Sequence, residues 1–291
     1  MQDASQNRIV IERAGTARRL LAPALILASM VGGSVSVRLF AADKSPTKIA
    51  KTVDDSVSLG SSKAGEKHPL LPALQIAKSS RLSVSKVKDY SATFIKQERF
   101  KDQLIRQTMD IKVRQEPFSV YLKYAEPHAG REVIFVDGQN KGKFLVHEDG
   151  LKSLAGTFSF LPTSDEAMKE NHYPVTKIGL ANMIDITILQ WEQEMKYGEI
   201  DVKFYPNAKL GTRECKMIAS SHPQARPHFK FQKTCLYIDK ETNLPVRIEQ
   251  FGFPKGNGES PLIEEYNYTN LRINVKLSDR DFDTKNKDYN F

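Results

Sequence analysis

Apolar residues alternate with polar ones along much of the chain, which is the pattern of β-strands with one buried face. The alternation is clearest on either side of a turn at 115–117, in Ile105, Met109, Ile111 and Val113 and then in Phe118, Val120, Leu122 and Tyr124. A hairpin is predicted next, with strands 132–136 and 143–147 flanking the loop 137–142. Further strands are predicted at 201–206, 212–220, 229–239, 244–253 and 262–275.

Two segments have apolar residues at helical spacing. The first predicts a helix from residue 69 to about 88, and the second is marked by Leu180, Ile184, Ile188, Trp191 and Met195. Gly198 is predicted as the C′ residue that ends the second helix. Two helices among antiparallel strands predict an α+β fold, in which the helices pack on one face of the sheet. The irregular stretch 149–178 is too long for a plain connection, so it is a candidate lid or functional loop.

The N-terminal 42 residues differ in pattern from the rest. Arg8, Arg13, Arg18 and Arg19 precede an uncharged, mostly apolar run at 20–37. A basic segment followed by an apolar one is typical of an export signal or an N-terminal membrane anchor, and the residues that follow do not decide between the two. We therefore expect an exported protein, in the periplasm or on the outer face of the cytoplasmic membrane. Residues 43–68 are predicted to be a flexible linker, and 69–291 a single β-rich domain.

Composition narrows the class of partner. The formal net charge is +8, and part of it lies in the N-terminal segment. An excess of this size over a whole chain is ordinary surface charge, so nucleic acid is not an expected partner. Proximity to a membrane is expected from the N-terminal segment.

The two cysteines, Cys215 and Cys235, lie in neighbouring predicted strands. A hairpin centred on Ala225 would place them opposite each other, close to disulfide range. An exported protein permits that bond. The alternative is a pair of buried free thiols, and the sequence does not choose between them.

Motifs for catalysis or for holding a metal are not found in the sequence. The six histidines form no i, i+4 pair, and there is no Gly-x-Ser-x-Gly elbow and no phosphate-binding loop. The run at 279–283 lacks the Gly and the bidentate Glu of a calcium loop. We expect no catalytic residue, no metal and no cofactor. An unrecognised enzyme remains an alternative that rests on the 149–178 loop, and acids and a histidine converging in one pocket would favour it.

Several segments resemble a known bacterial family. They are Asp89–Glu98, Pro117–Lys123, Gly130–Ile134, the pair Tyr173–Thr176 and Ile178–Gly179, and the closing Asp288–Phe291. Together they resemble the domain of unknown function 1571. More loosely, Tyr237–Arg247 is similar to a hairpin of the LolA-like lipoprotein-carrier superfamily. The resemblance implies a curved antiparallel half-barrel with helices on its concave, apolar face, and a role in the cell envelope. The family is uncharacterised, so no catalytic residue is carried over from it.

An apolar cavity between sheet and helices would suit a lipid, a lipoprotein acyl chain or another apolar ligand. The candidate lining residues are Ile105, Met109, Ile111, Val120, Leu122, Trp191, Val246 and Ile248. The alternative for these residues is a filled core, since half-buried strands show the same pattern. A filled core with a retained anchor would favour a different function, a sensing or scaffold domain that binds another envelope protein.

Overall fold

The computed structural model describes residues 57–59 and 68–291. The described strands are β1 (Val57–Leu59), β2 (Asp89–Phe100), β3 (Gln103–Arg114), β4 (Ser119–Glu126), β5 (Glu132–Val136), β6 (Phe144–His147), β7 (Thr157–Phe160), β8 (Asp201–Leu210), β9 (Arg213–Ser221), β10 (Lys233–Asp239), β11 (Pro245–Phe251) and β12 (Leu262–Ile273). The helices are α1 (Leu70–Val84), α2 (Asp165–Met168) and α3 (Leu180–Glu194). Short 3-10 turns lie at Asn140–Gly142, Gly150–Ala155, Val175–Lys177 and Asp279–Phe282.

All the described strands form one antiparallel sheet of 12 strands, in the order β1-β8-β9-β10-β11-β12-β2-β3-β4-β5-β6-β7. The sheet contains two meanders, β2 to β7 and β8 to β12. Strand β12 pairs with β2, and this pairing joins the two meanders. The sheet stays open, with β1 and β7 as its outer strands. The predicted α+β half-barrel, with helices on its concave face, is confirmed.

One face of the sheet carries the helices, and we call it the helix-covered face. On β2 it is marked by the alternate buried residues Tyr90, Ala92, Phe94, Lys96 and Glu98. The apolar sides of α1 and α3 pack against each other and against this face, and they form the main core with it. The opposite side is called the outer face.

Helix α3 begins on the sheet itself. The backbone N–H of Gly179 donates to the Tyr268 hydroxyl at 3.0 Å, and that of Leu180 donates to the Tyr90 hydroxyl at 3.0 Å. Helix N-terminal N–H groups have no partner within the helix, so these two buried phenols satisfy donors that would otherwise be orphaned. Burial raises the pKa of both phenols, so both hydroxyls stay protonated. The helix ends at Glu194 with Met195 as its C-cap, so the prediction that Gly198 is the C′ residue is wrong.

The outer face of β4 and β5 is covered by the C-terminal segment. The Tyr289 ring stacks on Tyr121 with centroids 4.0 Å apart. The backbone N–H of Asn290 donates to Glu132 Oε2 at 2.9 Å, and Glu132 is fully buried beneath it. The closing motif that carries part of the family resemblance therefore seals this side of the sheet.

The predicted register of the hairpin that contains both cysteines is wrong. Cys215 lies opposite Asp239 and Cys235 opposite Ala219, because the connecting loop is centred two residues later than Ala225. Four residues of offset correspond to about 13 Å along a strand, well beyond disulfide range. Both are free thiols in the structure. They lie in a small apolar cluster on the outer face, and burial raises their pKa to about 11 and about 12.

The prediction that residues 1–42 are an export signal or membrane anchor lies outside the described residues, and so does most of the predicted linker at 43–68. Within the segment 43–68, predicted to be a linker, residues 57–59 form β1 and pair with β8. No helix among residues 57–59 and 68–291 is long and apolar enough to cross a membrane.

Candidate functional site

A cavity of about 110 Å³ lies between the helix-covered face and the segment 167–179 with α3. Most of its wall is apolar, with side chains from seven strands and from α3: Phe94, Met109, Leu122, Val133, Phe144, Met183, Ile186, Ile248 and Tyr268. One end is polar, lined by Lys96, Glu98, Asn171, Tyr173, Gln250, Glu264 and Tyr266. The site therefore has the two-part character of an amphiphile.

Strand pairing explains why the wall changes from apolar to polar. Directly opposed residues on neighbouring strands share a face, so the inward residues form rows across the sheet. One row runs Tyr268, Phe94 and Met109, with the first two rings stacked at 4.7 Å. The next inward row lies two residues away along each strand and holds Tyr266 and Lys96.

The last inward row is polar. Gln250 lies opposite Glu264, and Glu264 lies opposite Glu98, on three adjacent strands. The two carboxylates are only 1% and 2% exposed. Like charges directly opposite each other in a buried setting destabilise a sheet, so compensating groups are required.

Lys96 supplies the first compensation. Its ammonium lies 3.1 Å from Glu98 Oε2, donates to the Glu170 carbonyl at 3.0 Å, and donates to the Asn171 side-chain oxygen. Burial lowers the pKa of this lysine, while the charge of Glu98 opposes that shift. The ammonium therefore links β2 to the segment that covers the cavity.

His172 supplies the second compensation. Its backbone N–H donates to Glu98 Oε2 at 3.0 Å, its Nδ1 lies 2.8 Å from Glu264 Oε2, and its Nε2 lies 3.1 Å from the Arg99 carbonyl. A carboxylate and a carbonyl both accept, so both ring nitrogens donate and the ring is an imidazolium. The hydrogen bond to Glu264 raises the pKa of His172 accordingly. Neither ring nitrogen is left free to act as a base.

The charge of His172 makes stability depend on pH. A raised pKa in the folded state means that protonation stabilises the fold; this contribution is complete below about 6.5, the ordinary imidazole pKa, and is lost as the pH rises through the higher folded pKa. We expect the free energy of unfolding of the native chain to exceed that of His172→Asn by more at about pH 6 than at about pH 9. Urea titrations at both values measure it. A difference that stays constant with pH would contradict the imidazolium.

Residues 87–291 match the family described as Protein of unknown function (DUF1571). The chain belongs to this family. The segments that carry the resemblance also build the cavity wall, with Phe94, Lys96, Leu122, Tyr173 and Ile178 among them. No curated protein matches the chain.

Solved structures of similar fold are distant in sequence. The lipoprotein LppX of Mycobacterium tuberculosis has a TM-score of 0.42 at 10% identity, covering 72% of this chain and 98% of that one. LprF of Mycobacterium bovis has a TM-score of 0.40 at 10% identity, covering 71% and 95%. A LolA superfamily protein from Nitrosomonas europaea has a TM-score of 0.29 at 9% identity, covering 71% and 97%. At these values the likenesses bear on neither ligand nor function.

The structure brings three of the eight candidate lining residues to the cavity: Met109, Leu122 and Ile248. Ile111, Val120 and Trp191 are buried elsewhere in the main core, where the Trp191 indole donates to the Ser220 hydroxyl at 3.0 Å. Ile105 is half-buried and lies outside the cavity wall.

Val246 lies on the outer face, in the cluster with the cysteines. Tyr237 pairs with Arg247 and Ile238 with Pro245, so Val246 is an extra residue in β11. A β-bulge of this kind breaks the alternation of faces. Val246 is therefore excluded from the cavity although Ile248, two residues later, lines it.

The polar end was not found from the sequence. Its members lie far apart in the chain, and the adjacent acids Glu264 and Glu265 do point to opposite faces, as alternation requires. One signal was present: Lys96 and Glu98 are in phase with the apolar residues Tyr90, Ala92 and Phe94 on β2. Charges at core positions of a strand indicate a buried polar network. Within the described part of the chain, no cluster of His, Cys, Asp and Glu suits a metal ion.

Proposed function

We propose that the chain is an exported, non-enzymatic binding module of the bacterial cell envelope, and that its ligand is a lipid, a lipoprotein acyl chain or another amphiphile. The observation that carries this is the cavity, apolar along most of its wall and polar at one end. Burying each methylene of a chain contributes about 0.8 kcal/mol, so roughly every two methylenes raise affinity tenfold. The basic and apolar halves of residues 1–37 support the envelope location.

The size of the cavity limits what enters without movement. At about 110 Å³ it is smaller than an apolar cavity of about 150 Å³ that holds benzene. The end of an acyl chain fits, and a longer portion requires the segment 167–179 to shift away from the sheet. Such a shift would break the hydrogen bonds that hold this segment to Lys96 and Glu264.

Catalysis is not part of the proposal. Two acids, Glu98 and Glu264, lie in the cavity wall and His172 bonds to both, which is close to the arrangement that would favour an enzyme. However, both nitrogens of His172 are already bonded to Glu264 and to the Arg99 carbonyl. A general base needs a nitrogen within reach of the substrate proton, and this ring offers none.

A tryptophan at Ile186 tests the proposal. Ile186 lies on α3 and lines the cavity, so the indole of Ile186→Trp fills the space that the ligand needs. We expect it to weaken binding of the uncharged dye N-phenyl-naphthylamine about tenfold or more, the equivalent of about two methylenes. Fluorescence titration of the full chain measures this, together with mass spectrometry of lipids extracted from the purified protein.

The matched control is Leu189→Trp, one turn further along the same helix. Leu189 is 58% exposed and does not line the cavity, so the same substitution there should leave affinity unchanged. Equal weakening by both variants would count against the cavity as the site. Native protein that binds no amphiphile would sink the proposal.

A second candidate function, binding of another envelope protein, is favoured by apolar side chains beside the outer strand β7. Leu151 and Leu154 are 89% and 85% exposed, and Phe158 and Leu161 are exposed as well. Photocrosslinking in whole cells from position 151 tests it, with the exposed Leu82 of α1 as the control position. A discrete crosslinked adduct from position 151 but not from position 82 supports this function. The absence of an adduct from both positions counts against it.

A further inference from the structure

We infer that the polar end of the cavity selects amphiphiles whose head group donates hydrogen bonds and carries no negative charge, a primary ammonium above all. This inference rests on the proposed function and specifies its ligand class. It follows from which hydrogen-bonding groups at the polar end are already used by the protein and which remain free.

Lys96 and His172, the charged donors that contact the two buried carboxylates, are already in use. An ammonium has three N–H donors, and those of Lys96 go to Glu98, the Glu170 carbonyl and Asn171. Both ring nitrogens of His172 are likewise bonded to protein. A phosphate or carboxylate head group would have to break these bonds to be satisfied, and it would lie beside two buried carboxylates.

Acceptors, in contrast, remain. A carboxylate offers about four lone-pair sites, and Glu264 accepts hydrogen bonds from the Tyr173 hydroxyl and His172 Nδ1. Gln250 donates through Nε2 to Gln190 Oε1 at 2.6 Å, and its own carbonyl oxygen accepts no hydrogen bond from the described residues. Glu264 and Gln250 are opposite each other on adjacent strands, both almost fully buried, and both line the cavity.

The electrostatic balance agrees with this reading. Glu98 and Glu264 face the Lys96 ammonium and the His172 imidazolium, so these four groups balance, and the exposed ammonium of Lys230 lies 4.0 Å from Glu264 Oε1. The negative charge of an anionic head group would be buried beside two carboxylates without compensation, which is costly. A primary ammonium instead makes charge-assisted hydrogen bonds to Glu264, the stronger kind.

The experiment compares two amphiphiles with the same chain, dodecylamine and dodecyl phosphate, each displacing N-phenyl-naphthylamine from the full chain below its micelle concentration. We expect the amine to bind about tenfold more tightly, as one charge-assisted hydrogen bond would give. Equal binding, or tighter binding of the phosphate, overturns the inference and leaves the proposed function standing. Failure of the dye and of both amphiphiles to bind defeats the proposed function itself.

The variant Glu264→Gln keeps the shape and removes the charge, and we expect the preference for the amine to fall to about threefold or less. Glu265→Gln is its matched control, since Glu265 is the next residue on β12 and is buried on the outer face beside Arg247. A preference that survives Glu264→Gln unchanged overturns the inference. If that variant does not fold, the two-amphiphile comparison on the native chain decides alone.

Discussion

Replacing Lys96 by Met is expected to cost about 3 kcal/mol of unfolding free energy. Met has a similar length and is apolar, so the loss comes from the charge and not from a void. Without the ammonium, Glu98 keeps its bonds to the Tyr266 hydroxyl and the His172 backbone, but its buried charge is uncompensated. Urea denaturation of the purified chain measures the change.

A double variant separates charge from packing. Lys96→Met combined with Glu98→Gln removes both charges. The new amide can accept from the His172 backbone N–H through its oxygen and donate to the Tyr266 hydroxyl oxygen through its nitrogen, so the double variant should recover most of the loss. Lys78→Met is the control on a surface pair: Lys78 and Glu192 lie 2.6 Å apart but are both exposed, so the cost should stay within about 0.5 kcal/mol. If Lys96→Met costs no more than Lys78→Met, the buried pair is not the stabilising element described.

Gly179→Ala is expected to cost about 2–4 kcal/mol, and the reason is local geometry at the start of α3. Gly179 has a φ of 111°, a conformation that residues with a side chain rarely adopt. A Cβ added there would also lie 2.8 Å from the Tyr90 hydroxyl, which caps the helix through Leu180. The variant therefore strains the backbone and displaces a buried hydrogen bond. The midpoint and slope of urea unfolding measure the loss.

Gly198→Ala provides the comparison beyond the other end of the helix. Apart from its own and the two adjacent residues, nothing described lies within 4 Å of a Cβ added there, so stability should be unchanged or slightly raised. Adding Tyr90→Phe to Gly179→Ala removes the clashing oxygen, so the double variant should lose less than the sum of the two single losses. Losses that add in full would show that the hydroxyl is not the obstacle.

Prediction from the sequence succeeds where the pattern is local and dense. Met109, Ile111 and Val113 alternate within one strand, and Leu180, Ile184 and Trp191 share one face of a helix, so element type and buried face follow from spacing alone. The register between strands is less well specified. The Cys215 hairpin was predicted two residues out of place, because an irregular loop leaves the centre of the turn undetermined.

The sequence by itself determined the α+β class, the antiparallel sheet with its helices on one face, and membership of the family through short motifs. Only the tertiary structure decided which residues form the site. The bulge at Val246 reversed one residue's face, and the pairing of β12 with β2 set Glu264 against Glu98. The physical reason is that alternation fixes a side chain's face within its own strand, whereas its neighbours depend on strand order and register set by contacts across the whole sheet. The cavity's polar end is a product of those long-range pairings.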